Sequence, residues 1–192
     1  TIETDLIFVK NTDVIKANKR FAGKIHPLTY IVSTVEKTTG LSHYDYVLSK
    51  EANVVTPLVI DHIRSIAKKL KVDPKTEMSL RMDRGKEFGI EALKKIIPDT
   101  AYVGMGPSCE NRNKMCQRNF YRLLRNRRAI TIREALRQTE TLINQSYNRI
   151  QRATPNECVD KTKKEILTQY NKTRNTYEQG DKRGEFQVDD YV

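Results

Sequence analysis

The chain has 192 residues, 38% hydrophobic and 31% charged, with a formal net charge of +11. That balance suits one ordinary globular domain, with or without an appended tail. No apolar run approaches the roughly 20 residues of a membrane helix, and Thr1-Ile2-Glu3-Thr4-Asp5 is no signal peptide, so a membrane partner is not expected.

The first predicted element, Ile2 to Val9, is a strand in which Ile2, Leu6, Ile7, Phe8 and Val9 surround Asp5. Starting without Met inside such a run, the chain reads as a piece of something longer. A carboxylate there is costly if buried unless it is paired or metal-bound; on an edge strand it would simply face solvent. Lys10 to Lys24 is polar and basic and predicts a long hairpin connection. His26 to Val35 and Leu41 to Leu48 are two further strands around the turn Lys37-Thr38-Thr39-Gly40, making an antiparallel meander. Asn53 to Leu70 is an amphipathic helix with Val55, Leu58, Val59, His62, Ile63, Ile66 and Leu70 on one face. His62 reads as a packed core histidine.

Glu77 to Met82 predicts a short strand that delivers Asp83, and Glu87 to Ile97 a helix stopped by Pro98. Thr100 to Val103 is a strand. Gly104, Gly106 and Pro107 form a mobile loop, after which Ser108 is the expected N-cap, with Glu110 in the first helical turn. That helix runs to about Arg128. Thr131 caps another, with Ile132, Ala135, Leu136, Thr139, Leu142, Ile143 and Ile150 as its apolar stripe. Asn156 to Gly180 is lysine-rich and helical in part. The closing E-F-Q-V-D-D-Y-V alternates like the first strand of a new β-domain. The order β-β-β-α-β-α-β-α-α predicts an α/β fold. Neither G-x-G-x-x-G nor a Walker A sequence occurs, which argues against a nucleotide-binding enzyme.

Charge is concentrated late in the chain. Between residues 111 and 154 eleven Lys and Arg, Arg112, Lys114 and Arg118 among them, face only Glu134 and Glu140, a net of +9 in 44 residues. One basic face on a near-neutral body points to nucleic acid, the alternative being a solvated helix face. Cys109, Cys116 and Cys158 are odd in number and lack C-x-x-C spacing, so they read as packing residues of a reducing compartment rather than zinc ligands.

Three acids carry the candidate chemistry: Asp5 on a strand, Asp83 at a strand end and Glu110 at a helix start. Magnesium takes hard oxygen ligands, and two such ions roughly 3.5–4 Å apart support in-line phosphoryl transfer. The Gly104-Met105-Gly106 stretch gives the helix-start acid freedom to close. Singly, each acid has a plainer reading: Asp83 caps a turn with Gly85, and Glu110 favours a helix N-terminus by roughly 0.3–1 kcal/mol.

Taken together these motifs resemble the catalytic core of retroviral-type integrases, the D,D,E recombinases of retroviruses, LTR retrotransposons, Maverick/Polinton elements and virophages. The T-D-L-I run resembles the family's first-acid strand, M-D-R-G-K-E-F its second-acid motif (Asp83, Gly85, Glu87, Phe88), and P-S-C-E-N-R-N-K its third. Tyr147 to Glu157 is similar to the family's Y-N segment ending in T-P. The resemblance implies an RNase H-like mixed five-stranded sheet flanked by helices over residues 1–157, a linker over 158–184, and over 185–192 the truncated start of an SH3-like or chromodomain-like barrel. It implies Mg²⁺ or Mn²⁺, as two ions with DNA bound, held by Asp5, Asp83 and Glu110. The implied activity is 3′-end processing and strand transfer into double-stranded target DNA by a homo-oligomer, a dimer or tetramer, in the host nucleus or the virion. By the same matching Asn113, Lys114, Gln117 and Arg118 fall where the family's helix contacts DNA. The 26 residues between Asp83 and Glu110 are fewer than is usual, the 77 between Asp5 and Asp83 more. A catalytically inactive DNA-binding relative and an RNase H-like nuclease are the alternatives.

Overall fold

The structure, a computed structural model, describes residues 1–10, 12–14, 29–103, 106–126, 131–149, 151–161, 164–165, 168–169 and 171–172. Five strands make one sheet: β1 (Ile2–Val9), β2 (Thr29–Glu36), β3 (Ser42–Val47), β4 (Leu80–Met82) and β5 (Thr100–Tyr102), in the order β3-β2-β1-β4-β5. Around it lie α1 (Ala52–Leu70), α2 (Pro74–Glu77), α3 (Ile90–Lys94), α4 (Pro107–Arg125), α5 (Ile132–Asn144) and α6 (Pro155–Val159). The first three strands form the expected antiparallel meander, and β4 and β5 add to β1 in parallel.

Strand alternation sends neighbouring residues of β1 to opposite faces. Ile2 and Leu6 join the core under α1, with Val32, Val55, Val59, Ile63, Leu80 and Leu93. Ile7 and Val9 join a second core under α4 and α5, with Cys116, Phe120, Leu124, Leu136 and Ile143. Glu3 and Asp5 share that second face. His62 lies buried on α1, bonded to Thr34 Oγ1 at 2.9 Å and to Asp45 at 3.4 Å, a packed core residue as expected. Among the described residues no helix is long and apolar enough to cross a membrane.

Several predicted elements have different ends. The strand expected from Glu77 begins only at Leu80, because Asp73 caps a single helical turn first, accepting from Lys75 N. The helix expected over Glu87 to Ile97 is the five-residue α3: Phe88 is buried against α1 and Gly89 N donates to Thr56 Oγ1, which holds these residues out of the helix. α4 is capped by Gly106 with Pro107 at its first position, rather than by Ser108, and it ends at Arg125. Thr131 caps α5 as predicted, and Thr154 and Glu157 form a capping box on α6, so the T-P motif is a helix start. Of the predicted hairpin connection, residues 12–14 form a helical turn with Val14 buried. Residues 15–28, 104–105, 127–130 and 173–192, including the truncated barrel strand, lie outside the described residues.

The outer edge of β3 is closed by side chains of α5. Asn144 accepts from Ser42 N at 2.9 Å and donates to Ser42 O at 2.8 Å, while Glu140 accepts from Tyr44 N at 3.0 Å. These bonds replace those of a sixth strand and block edge-to-edge pairing. Glu36 works similarly at the β2–β3 turn, accepting from the N–H groups of Thr38 and Thr39. We expect Asn144→Leu to lower unfolding stability by about 1–3 kcal/mol for each Ser42 group left unpaired. Denaturant unfolding measures this, and a wild-type midpoint would refute the edge-closing role.

Candidate active site

Strand register makes the two aspartates neighbours. Thr4 of β1 sits beside Met82 of β4, and β4 ends there. Asp83 leaves the sheet at the level of Asp5, so β1 runs on without that partner. The Asp5 carboxylate therefore lies at the carboxyl end of the parallel strands, where open α/β sheets place ligands. This explains how a central strand tolerates an acid.

Both oxygens of Asp5 are held. Oδ1 accepts from Leu6 N at 2.8 Å, and Oδ2 accepts from Asn113 Nδ2 at 2.7 Å. Asn113 Oδ1 in turn accepts from Ser33 Oγ at 2.7 Å, and Ser33 is the partner of Asp5 across β1 and β2. One amide from α4 thus clamps two adjacent strands. Burial raises the pKa of Asp5 above its ordinary value; the Leu6 amide opposes this, the nearby Asp83 and Glu87 carboxylates add to it, and the Asn113 bond pulls back.

Asp83 Oδ1 accepts from Gly85 N at 3.3 Å, so the turn-capping role exists as well. The Glu87 carboxylate folds back over Gly85, where any Cβ would collide with it. Glycine here lets Glu87 bring its charge in beside the turn that holds Asp83. The sequence reading treated Glu87 as a motif letter; the alternation Asp83, Gly85, Glu87 was the available signal that it shares the site. Glu110 is exposed on the first turn of α4. It surrounds the buried Cys109 thiol together with Asp5 and Glu3: burial raises that thiol's pKa and these three carboxylates raise it further. Among the described residues no three His, Cys, Asp or Glu converge closely enough to hold a metal ion. Asp83 and Glu87 thus act on the Asp5 carboxylate, while Asp5 and Glu110 share the neighbourhood of Cys109.

Two faces of α4 have opposite chemistry. Cys109, Arg112, Cys116, Phe120, Leu123 and Leu124 are buried. Glu110, Lys114, Arg118 and Arg122 are exposed at four-residue spacing, a stripe rising about 6 Å per step, with Gln117 half-buried. Arg112 does not belong to the predicted basic face. Its guanidinium lies under Gly40, whose φ of +74° and lack of a Cβ make room for it, and burial lowers its pKa. Arg133 covers the Tyr46 ring at 5.9 Å.

No protein-family model matches the chain, and no curated protein matches it by sequence. A solved structure does match. The catalytic core domain of BIV integrase is similar with a TM-score of 0.54 at 17% identity, covering 92% of this chain and 97% of that one. The chain has an integrase-like fold. In that fold Asp5 and Asp83 supply hard oxygen donors of the kind Mg²⁺ and Mn²⁺ take. Burial chiefly, and then repulsion from Asp83 and Glu87, raise the pKa of Asp5, and a divalent cation relieves that repulsion, so this half of the donor set fits one.

Two outcomes follow. Asn113→Ala removes a bond to a charged acceptor and should cost about 1.5–3 kcal/mol in denaturant unfolding; a cost near zero would show that the clamp is not formed. The metal-free folded state holds the Asp5 proton more tightly than the unfolded chain does. Asp5 therefore favours folding at low pH, and that contribution is lost as pH rises from the ordinary aspartate value of 3.8 through the raised folded pKa. In Asp83→Asn the Asp5 midpoint should fall, read by carboxyl ¹³C NMR; an unmoved midpoint would mean the two acids do not interact.

Proposed function

We propose that this chain is the catalytic core of a DNA integrase, a polynucleotidyl transferase that trims the 3′ end of element or viral DNA and joins it to target DNA. The observation that carries the reading is the Asp5–Asp83 pair at the strand ends of an integrase-like fold, with Asp5 clamped by Asn113 beside a basic helix stripe. In trimming, a water oxygen bonds to the scissile phosphorus, the P–O3′ bond breaks, the terminal nucleotides leave with a 5′ phosphate, and the retained end takes up a proton as a 3′ hydroxyl. In joining, the freed 3′ hydroxyl attacks a target phosphorus, its oxygen bonds to that phosphorus, and one target P–O bond breaks.

Asp5, Asp83 and Glu110 would hold Mg²⁺ or Mn²⁺, which supplies activation of the attacking oxygen and stabilisation of the leaving one. The chain's own residues do the rest. Asn113 fixes the Asp5 carboxylate through its amide. Lys114 and Arg118 stand on the exposed side of α4 and bind backbone phosphates. Gln117 contributes no charge. Joining two DNA ends calls for more than one copy of the chain, a dimer or tetramer. The reading places it in a mobile element or virus of the retrotransposon, Maverick/Polinton or virophage kind, at work in the host nucleus or the virion. A second reading, a DNA-binding relative without catalysis, is favoured by one observation: among the described residues no three acids converge closely enough to hold a metal ion.

A strand-transfer assay on paired DNA ends in Mg²⁺ separates these readings. The integrase reading expects joined products from wild type, and none from Asp83→Asn or Glu110→Gln at unchanged DNA affinity. Joining by Asp83→Asn overturns the assignment of the acids, cleavage without joining points to a nuclease, and binding alone to the inactive relative. DNA affinity should fall steeply with salt, and Lys114→Ala with Arg118→Ala should each flatten the log–log slope by about 0.9. An unchanged slope removes these residues from the phosphate contacts.

A further inference from the structure

α4 is tied to β1 at two points. Asn113 on Asp5 is one. The other is Glu3, two residues earlier on the same face of the strand. Glu3 is 5% exposed. It lies under Gly106, the N-cap of α4: a Cβ at 106 would stand 2.9 Å from Glu3 Oε1. Gly106 is extended, with φ −79°, so a side chain there would displace the Glu3 carboxylate rather than strain the backbone. Glu3 Oε2 has no hydrogen-bond partner among the described residues, and the ion pair of Oε1 with Lys37 is long, at 3.8 Å.

A carboxylate so deeply buried needs compensation. What faces it is the positive end of a 19-residue helix whose N-cap makes no side-chain capping bond and whose first residue, Pro107, has no N–H. The N–H groups of Cys109 and Glu110 turn back to the Gly106 carbonyl, which closes the first turn directly above Glu3. Glu110 lies four residues after Gly106 and three before Asn113, between the two ties.

We propose that Glu3 is a positioning residue for Glu110: its buried carboxylate seats the first turn of α4 on β1 and sets how far Glu110 stands from Asp5 and Asp83. The inference rests on the reading of Glu110 as the third acid. Glu3 is not assigned a contact with metal or DNA. It acts through the helix start, as a buried negative charge beneath the first turn, and Gly106 is the complementary half of the same contact.

Cys109 reports on this seat, because it is a free, fully buried thiol in that first turn, while Cys116 and Cys158 are buried elsewhere. The test uses the full chain with Glu3→Ala, Glu3→Gln and Gly106→Ala, the last pushing the carboxylate aside with a methyl group. Glu3→Ala and Gly106→Ala should speed thiol labelling of Cys109 about 10-fold and leave Cys116 and Cys158 protected, with Glu3→Gln in between. The second readout is the rise in unfolding temperature produced by Mn²⁺ alone. Glu3→Ala should cut it to the level of Glu110→Gln, and the double variant should show no further loss, since both act through one carboxylate.

Wild-type protection of Cys109 in both Glu3→Ala and Gly106→Ala overturns the proposal, as does an additive loss of the Mn²⁺ effect in the double variant. If Glu3→Ala exposes all three thiols by general loosening, Glu3→Gln and Gly106→Ala decide the matter by the same criteria. If wild type neither joins DNA nor gains stability from Mn²⁺, the integrase reading falls and positioning falls with it, while labelling still decides whether Glu3 seats the helix.

Discussion

The length of β4 governs the site. It has three residues, and its parallel pairing with β1 stops after Thr4 and Met82. One more residue of pairing would place Asp5 and Asp83 side by side within the ladder, flanked by backbone on both edges. Ending where it does, β4 releases Asp83 into a turn capped by its own side chain, at the level where the Asp5 carboxylate meets α4. Two carboxylates that would be mutually destabilising inside a sheet become a pair at its open end. The elevated proton affinity of Asp5 records the burial and repulsion that remain.

α4 completes that end by changing its chemistry along its length. Its first two turns meet polar partners on β1, Gly106 over Glu3 and Asn113 on Asp5. Its later turns put Cys116, Phe120 and Leu124 against Ile7 and Val9 on the same strand. The apolar half anchors the helix, and the polar half uses that anchor to present Asn113 to two strands at once. Arg112 adds a third tie by filling the space under Gly40, which binds the helix start to the β2–β3 turn. A charged residue serving as packing is affordable here because its stem is apolar and the turn above it has no side chain.

Much of the fold was legible. Asp5 announced itself as an acid in an apolar run, the α1 stripe predicted its buried face, and Thr131 marked a helix start that formed. Alternation and helical spacing report burial that repeats along one element, and these elements obey it. The failures share a cause. α3 is shorter than its apolar pattern because Phe88 and Gly89 bond and pack against α1, a partner some thirty residues away. Arg112 was counted with a basic surface because charge is visible in sequence, whereas the cavity beneath a glycine is not. Glu87 went unread as a charge on Asp5 because its approach depends on folding back over Gly85.

The sequence by itself determined the element order, the acids available, and a helix with arginine on one side and apolar residues on the other. Periodicity and residue type are local properties, and a chain carries them before it folds. Only the tertiary structure decided which acids meet. Strand register put Asp83 beside Asp5, α4 brought Asn113 across both strands it clamps, and the same packing left Glu110 exposed on the first turn of α4 and buried Glu3 under Gly106. Those juxtapositions join residues separated by tens of positions, and they are fixed by how helix and sheet pack together, which no single stretch of the chain contains.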